Sequence, residues 1–446
     1  MKLRRIFSFV FVAAMLMSLA IAPAFAEEPI ELHVLNYRDM TSPNAMDETE
    51  VVWDAFQKAN PDIKLVIQDE FNEPFHQATE AYAAAGSLPD VMYAWPSGRS
   101  TTLHTKKLLK DLTPLIERDK IQDDYLPLTL DGSQQAGGYQ AIFPMGITAS
   151  HAFYVNMEVL EDAGLEPAKT YSELVEQVPV LKEKGYETVL MPNQDSWVMQ
   201  SCLFSMVAGR FCGEGWEKKI LSGEAKFTDP DFLNALKFIQ KIYEDGVIDK
   251  TTLAVGYGEG PSMFATNASA YYIDGDWRVG AFITDSTTGE ALIEPERQNN
   301  FKITVFPEID VEGVKFNRSN SAVLATGYGI NANLEDGSPK LEAAWKLVKW
   351  LVGKDVLTYR IATGGLPSPA RTDIDFESLD LEPLQIAIAN LANEYDIATV
   401  VIDGVFEGPV YTPLNDGLQA LGLGTQTPED VAKATQDAFE AWKAAK

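Results

Sequence analysis

Cysteine is nearly absent from this chain, with two residues in 446. Two thiols cannot staple a protein of this size, so packing must hold it together. Histidine is scarce too, and His33, His76, His104 and His151 are scattered without the spacing of metal ligands. Positive charge is in deficit: 36 Lys and Arg stand against 65 Asp and Glu, a formal net charge of −29. Such a surface repels nucleic acid and anionic lipid, which argues against both as partners. No GxSxG elbow, HExxH pair, CxxC or GxxxxGK(S/T) loop occurs, so the common nucleophile, zinc, redox and nucleotide-loop motifs are missing. No cofactor and no metal are expected. Repeats, low-complexity tracts and long polar linkers are also missing.

What is present is globular. Hydrophobic residues make up 46 % and charged residues 23 %, an ordinary composition for a folded protein. Single cores stop growing near ~250–300 residues, so two or more domains are expected. The first residues are a separate matter. Lys2, Arg4 and Arg5 precede an apolar run from Ile6 to Ala22, Pro23 breaks it, and Ala24-Phe25-Ala26 has the small-x-small pattern of a cleavage site. The run falls short of the ~20 residues of a membrane span. Residues 1–26 are therefore expected to be a signal peptide cleaved after Ala26, leaving an exported protein, periplasmic or secreted. Its loss takes the charge to −32, and no cysteine precedes Cys202 to carry a lipid anchor.

Strand and helix patterns alternate through the rest. Leu32 to Tyr37 reads as a strand, Asp47 to Ala59 as a helix with Val51, Val52, Ala55, Phe56 and Ala59 on one face, and Ile63 to Ile67 as a strand. A helix near Pro74 to Ala85 and a strand Asp90 to Ala94 complete a βαβαβ pattern, which predicts a parallel sheet. Ligands in such sheets bind beyond the carboxyl ends of the strands. Those ends carry Asn36 and Tyr37, then Asp69, Glu70 and Phe71, then Trp95 and Ser97. A second α/β pattern follows, with strands at Ala152 to Val155, Ala270 to Ile273 and Ile303 to Phe306 and a helix at Pro339 to Val352. Capping boxes are predicted at Thr170-Tyr171-Ser172-Glu173 and Thr427-Pro428-Glu429-Asp430. With no tether between them, the two α/β regions are expected to interleave.

Asp274-Gly275-Asp276 is the one tempting carboxylate pair. Residues two apart on a strand share a face at about 6–7 Å, which suits a glycosidase. Asp-Gly is equally the chemistry of a tight turn. Cys202 and Cys212 would lie about 15 Å apart on a continuous helix, too far to bond; a helix broken at Gly209 leaves a bridge open.

Four separated segments carry a resemblance. Tyr154 to Leu174 ("YVNMEVLEDAGLEPAKTYSEL"), Phe56 to Ile67 ("FQKANPDIKLVI") with Ala83 to Val91 ("AAAGSLPDV"), Met263 to Gly280 ("MFATNASAYYIDGDWRVG"), and Gly327 to Trp350 followed by Gly364-Gly365-Leu366-Pro367 run in one order along the chain. They resemble the extracellular solute-binding proteins of ATP-binding-cassette sugar importers, the maltose-binding-protein-like family. The resemblance implies an α/β fold of two lobes, each a mostly parallel sheet flanked by helices, with three crossing segments at a hinge. It places the crossings near Phe143-Pro144, Val305 to Pro307 and Asn331 to Leu334. The implied partition is 27–145 with 305–333 as the N-terminal lobe and 146–304 with 334–446 as the C-terminal lobe.

The implied function is capture of a mono- or oligosaccharide between closing lobes and its delivery to the permease subunits, by a monomeric protein that is not an enzyme. A sugar has a hydroxyl rim and a C–H face, so its site needs flat aromatics and fixed polar partners. Trp277 falls on the family's stacking tryptophan. Tyr37, Trp95, Ser97, Trp197, Tyr328 and Tyr411 fall on positions where the family meets its ligand, and Asp274 and Arg278 flank Trp277. For every aromatic but Trp277, core packing explains the residue equally well. Asp276 departs from the family's usual proline. Arg38, Arg99, Arg278 and Arg318 leave a uronic acid open. Two other readings stand: a secreted glycoside hydrolase, and a binder of a peptide, polyamine or quaternary amine held in an aromatic cage.

Overall fold

The structure is a computed structural model that describes residues 28–40 and 45–445. The expected signal peptide, residues 1–26, and its cleavage after Ala26 lie outside the described residues. Among the described residues ten strands form: β1 Ile30–Tyr37, β2 Ile63–Glu70, β3 Val91–Ala94, β4 Ile142–Ala149, β5 Ala152–Asn156, β6 Glu187–Leu190, β7 Ser269–Asp274, β8 Phe301–Thr304, β9 Ser319–Ile330 and β10 Ile397–Val400. They make two sheets. One has the order β10-β9-β3-β1-β2, with β4 on the other side of β9, and the other has the order β6-β7-β5-β8.

In the first sheet β1 pairs parallel with β2 and β3, as apolar runs separated by helices require. The helical stretch 45–59 buries Val52, Trp53 and Phe56 and contains a π-helical turn at Thr49–Asp54. The second sheet is mixed rather than mostly parallel. Only β6 and β7 run together, because β5 follows β4 directly and enters antiparallel to β7 and β8. At Thr427 both arms of the capping box form. At Thr170 one does: its hydroxyl accepts from Glu173 N, but the Glu173 carboxylate reaches back to Lys169 N instead.

Packing revises the expected lobe boundaries. The helix Pro339–Leu351 was assigned by resemblance to the C-terminal lobe, yet its Leu341, Ala344, Trp345 and Val348 share a core with Leu32, Val34 and Trp53 beneath the first sheet. Its apolar face is complementary to that sheet, and β9 delivers it there. The crossings shift accordingly. β4 does cross where expected, with Phe143 in the first core and Ala149 in a core of the second sheet. Phe306 and Ile309 still belong to the second lobe; the return is made by β9 itself, which pairs Ala322 with Val400 and Gly329 with Met92. Asn331 does not cross, since its amide donates to Asp90 O at the start of β3. The third crossing is 366–370, where Ile147 N donates to Ser368 O and Ala370 N to Met145 O, each at 2.9 Å. Beyond it, Leu384 and Ile388 pack on the second sheet.

Cys202 and Cys212 are both free thiols. Gly209 lies within the helix Ser205–Cys212 rather than breaking it, so the two sulfurs are kept apart. The same helix carries Arg210, which is fully buried and donates to the carbonyls of Phe306 (2.7 Å), Pro307 (2.6 Å) and Ser319 (3.3 Å). Burial pulls its pKa down to about 9, yet it stays charged at neutral pH. It pins the chain where it leaves the second lobe for β9. Arg210→Ala strands three buried carbonyls and is expected to cost about 3 kcal/mol or more, read as a lower urea midpoint.

Candidate functional site

Both lobes bring aromatic rings to the carboxyl ends of their strands. On the first lobe, Tyr37 ends β1 and Trp95 follows β3, with ring centroids 5.0 Å apart. Tyr93, Phe71, Phe75 and His76 join them; Tyr93 lies 4.9 Å from Trp95, and Phe71 and Phe75 each lie 5.2 Å from Tyr37. The helix Glu73–Ala85 supplies Phe75 and His76. Burial, aided by the nearby Arg99 charge, pushes the His76 pKa down to about 3, so its ring is neutral here.

On the second lobe the organising group is Asp274, fully buried at the end of β7. Its Oδ1 accepts from Gly275 N (2.8 Å) and Tyr257 Oη (3.1 Å), and its Oδ2 from Tyr272 Oη (2.8 Å) and Arg278 Nε (2.7 Å). A buried carboxylate needs such a shell to remain tolerable. The shell sets the wall in front of it. Tyr257 Oη accepts from Trp277 Nε1 at 2.6 Å, Trp197 lies 4.8 Å from Tyr257 edge-on, and the Arg278 guanidinium lies 4.1 Å from the Tyr257 ring centre. Trp277 lies so close over Gly275 that any Cβ there would overlap its ring. Trp197 opens a helix that passes into a π turn, Gln200–Phe204. His151 braces that turn, with Nδ1 against Cys202 O at 2.6 Å and Nε2 accepting from Phe306 N at 3.0 Å.

The residues singled out in the sequence therefore fall into two groups. Tyr37, Trp95, Trp197, Trp277 and Tyr411 are half-buried on the lobe faces. Asp274 and Tyr328 lie inside. Every Asp274 oxygen is engaged, and Tyr328, 2 % exposed in β9, donates to Asn36 Oδ1 (3.0 Å) and accepts from Arg360 Nη2 (3.2 Å). Arg278 gives its Nε to Asp274 and lies over the Tyr257 ring, while its Nη2 is buried with no hydrogen-bond partner among the described residues. Ser97 is half-buried as well, with its hydroxyl donating to Gly404 O. Tyr257, Tyr93 and His76 were missed, and Arg99 was read only as leaving an acidic ligand open. A signal existed for one: Gly256-Tyr257-Gly258 repeats the Gly-Tyr-Gly pattern of Gly327-Tyr328-Gly329.

The four arginines that left an acidic ligand open all have carboxylate partners. Arg38 holds Asp69 with two bonds of 2.7 and 3.1 Å; Arg99 holds Glu73 and Asp403, Arg278 holds Asp274, and Arg318 holds Asp396. Among the described residues, no group of three or more His, Cys, Asp or Glu is arranged to hold a metal ion, and no helix is long and apolar enough to cross a membrane.

Comparison with known proteins gives one consistent result. The family described as bacterial extracellular solute-binding protein matches residues 43–357. No curated protein matches the chain. Among solved structures, one described with xylan utilization by the thermophilic bacterium Caldanaerobius polysaccharolyticus is 24 % identical, covers 92 % of this chain and 99 % of its own, and has a TM-score of 0.79. A chitin oligosaccharide binding protein is 20 % identical over 94 % of this chain and 100 % of its own, with a TM-score of 0.79. Maltose-bound MalE3 from T. maritima is 18 % identical over 93 % of this chain and 100 % of its own, with a TM-score of 0.71. At these identities the likeness shows the fold: two α/β lobes.

Asp276 supplies a pH test of the site. It is 2 % exposed, its Oδ2 accepts from Ala149 N at 2.7 Å, and its Oδ1 has no partner. Burial, against the pull of the Ala149 and Trp277 amides, raises its pKa from 3.8 to about 7. A raised carboxyl pKa means that the folded state holds the proton that the unfolded state has already lost. The contribution of this group is therefore fully present below pH 3.8, and it is lost as pH rises toward about 7. Asp276→Asn should remove that fall, so that the melting temperature of the variant gains on the parent as pH rises across this window.

Proposed function

This chain belongs to the bacterial extracellular solute-binding protein family, and from that premise we propose that it is the substrate-binding subunit of an ATP-binding-cassette importer. In this reading it captures a neutral mono- or oligosaccharide between two closing lobes and delivers it to the membrane permease. One observation carries the reading: half-buried aromatic rings stand at the strand ends of both lobes, and the arginines beside them are already neutralised. Flat rings match the C–H faces of a pyranose. Paired charges leave little to attract an anion, so a uronic acid is the weaker fit. Closure around such a ligand selects the state in which both faces touch it.

The other readings meet specific obstacles. A glycoside hydrolase needs two free carboxyl groups beside the scissile bond, whereas Asp274 has both oxygens engaged and Asp276 is buried against Ala149. A polyamine needs unspent carboxylates near the rings, and Glu73 and Asp403 are held by Arg99; a quaternary amine, which the rings alone attract, is left to the screen.

A thermal-shift screen separates them. A neutral oligosaccharide at 100 times its dissociation constant should stabilise the protein by about 2.7 kcal/mol, with xylo-, chito- and malto-oligosaccharides as first members, and polyamines and uronates should be inert. Trp277→Ala should weaken the active sugar at least ~10-fold, the loss of a stacked ring worth about 1.5 kcal/mol. A melting temperature that moves with amines and with no sugar would overturn the assignment.

A further inference from the structure

The covalent crossings are β4, β9 and 366–370, but a further contact ties the lobes without a chain connection. The 3₁₀ turn Gly98–Ser100, just after β3, meets the 3₁₀ turn Ile402–Gly404, just after β10. The second turn is anchored in the second lobe, where Ile402 lies in the core and its amide donates to Ser205 Oγ at 3.0 Å. Gly98 has the left-handed φ of +48°, and a Cβ there would overlap the Asp403 carbonyl oxygen. A side chain at 98 would thus separate the turns, and glycine permits the approach.

Arg99 exploits that approach. Its Nη1 donates to Glu73 Oε1 of the first lobe at 2.7 Å, its Nε to Asp403 Oδ2 of the second at 3.4 Å, and its guanidinium lies 5.4 Å from the Tyr411 ring centre. The Arg99 and Asp403 side chains are only 10 % and 12 % exposed. Arg99 also lies close enough to Tyr37 and His76 to act on both electrostatically. It is the cation at which the first aromatic wall, a carboxylate from each lobe and a ring of the second lobe converge.

We propose that Arg99 is a positioning residue that sets the balance between the arrangement seen here and an open one, by bridging Glu73 of the first lobe to Asp403 and Tyr411 of the second. Separating the lobes strips Asp403 of its cation and uncovers Tyr411. A hydrogen bond to a charged group contributes a net stabilisation large enough to move such an equilibrium by roughly tenfold. The proposal rests on relative motion of the two lobes and not on the identity of the ligand.

The test uses ligand-free protein. Nitroxide labels at Lys64→Cys and Glu224→Cys, exposed positions on different lobes, report the interlobe distance by double electron–electron resonance. Arg99→Ala and Asp403→Asn should each lower the population at the parent's distance relative to a longer one about tenfold, and the double variant should go no further than Arg99→Ala alone. Arg99→Lys, which keeps the charge but loses the fork, should fall between. Should Arg99→Ala fail to give a cooperative melt, Asp403→Asn and Arg99→Lys carry the same reading. A distance distribution unchanged in the folded variants, or additive effects in the double variant, would overturn the proposal.

Discussion

The antiparallel β4–β9 ribbon is the constraint on which the rest of the molecule depends. Eleven of the twelve residues of β9 are buried, because the strand is flanked by β4 on one side and by β3 and β10 on the other. One end of the ribbon lies in the first core, through Phe143, Tyr328 and Ile330; at the other, Ala149 lies in a core of the second lobe. Neither lobe can therefore be assembled from a continuous stretch of sequence. The ribbon is irregular where the lobes meet: its register shifts at Gly146, and Ala325 takes a left-handed φ of 63°. Strain and bulging confined to a few residues are what a bend point requires.

The site depends on the same frame at one remove. Asp276 ties the Trp277 turn to Ala149 at the end of β4, while Asp274 gathers Tyr257, Tyr272 and Arg278 behind it. The aromatic wall is thus held by carboxylates that do not themselves form its face. This division explains why the charged residues near the cleft are spent internally. Pairing each cation with an anion holds the wall rigid and electrically quiet, which is what the proposed uncharged ligand requires.

Much of this was legible in the sequence. The strand and helix patterns of the first lobe, the cap at Thr427 and the interleaving of the lobes follow from periodicity, capping chemistry and the lack of a linker. Aromatic residues at strand ends pointed to the edges where the rings gather. The errors share a cause. Tyr328 and Asp274 lie on motifs where a ligand contact was expected, but a motif does not say which way a side chain turns, and both turn inward to satisfy buried partners. The helix Pro339–Leu351 was assigned to the wrong lobe because an amphipathic face does not name the surface that it covers. Tyr257 went unnoticed, and Arg99 was read only as leaving an acidic ligand open, because no local pattern joins them to the partners that give them their roles: Asp274 and Trp277 for one, Asp403 and Tyr411 for the other.

The sequence by itself determined the fold class, the family, the need for two cores and the positions of most strands and helices, because these rest on local periodicity and on ordered motifs that span the chain. Only the tertiary structure decided where the chain crosses between lobes, which aromatics reach a lobe face, and which charges are spent. Those outcomes depend on contacts between residues hundreds of positions apart, such as Arg99 with Asp403, and their energies come from burial and partner geometry that no local pattern encodes.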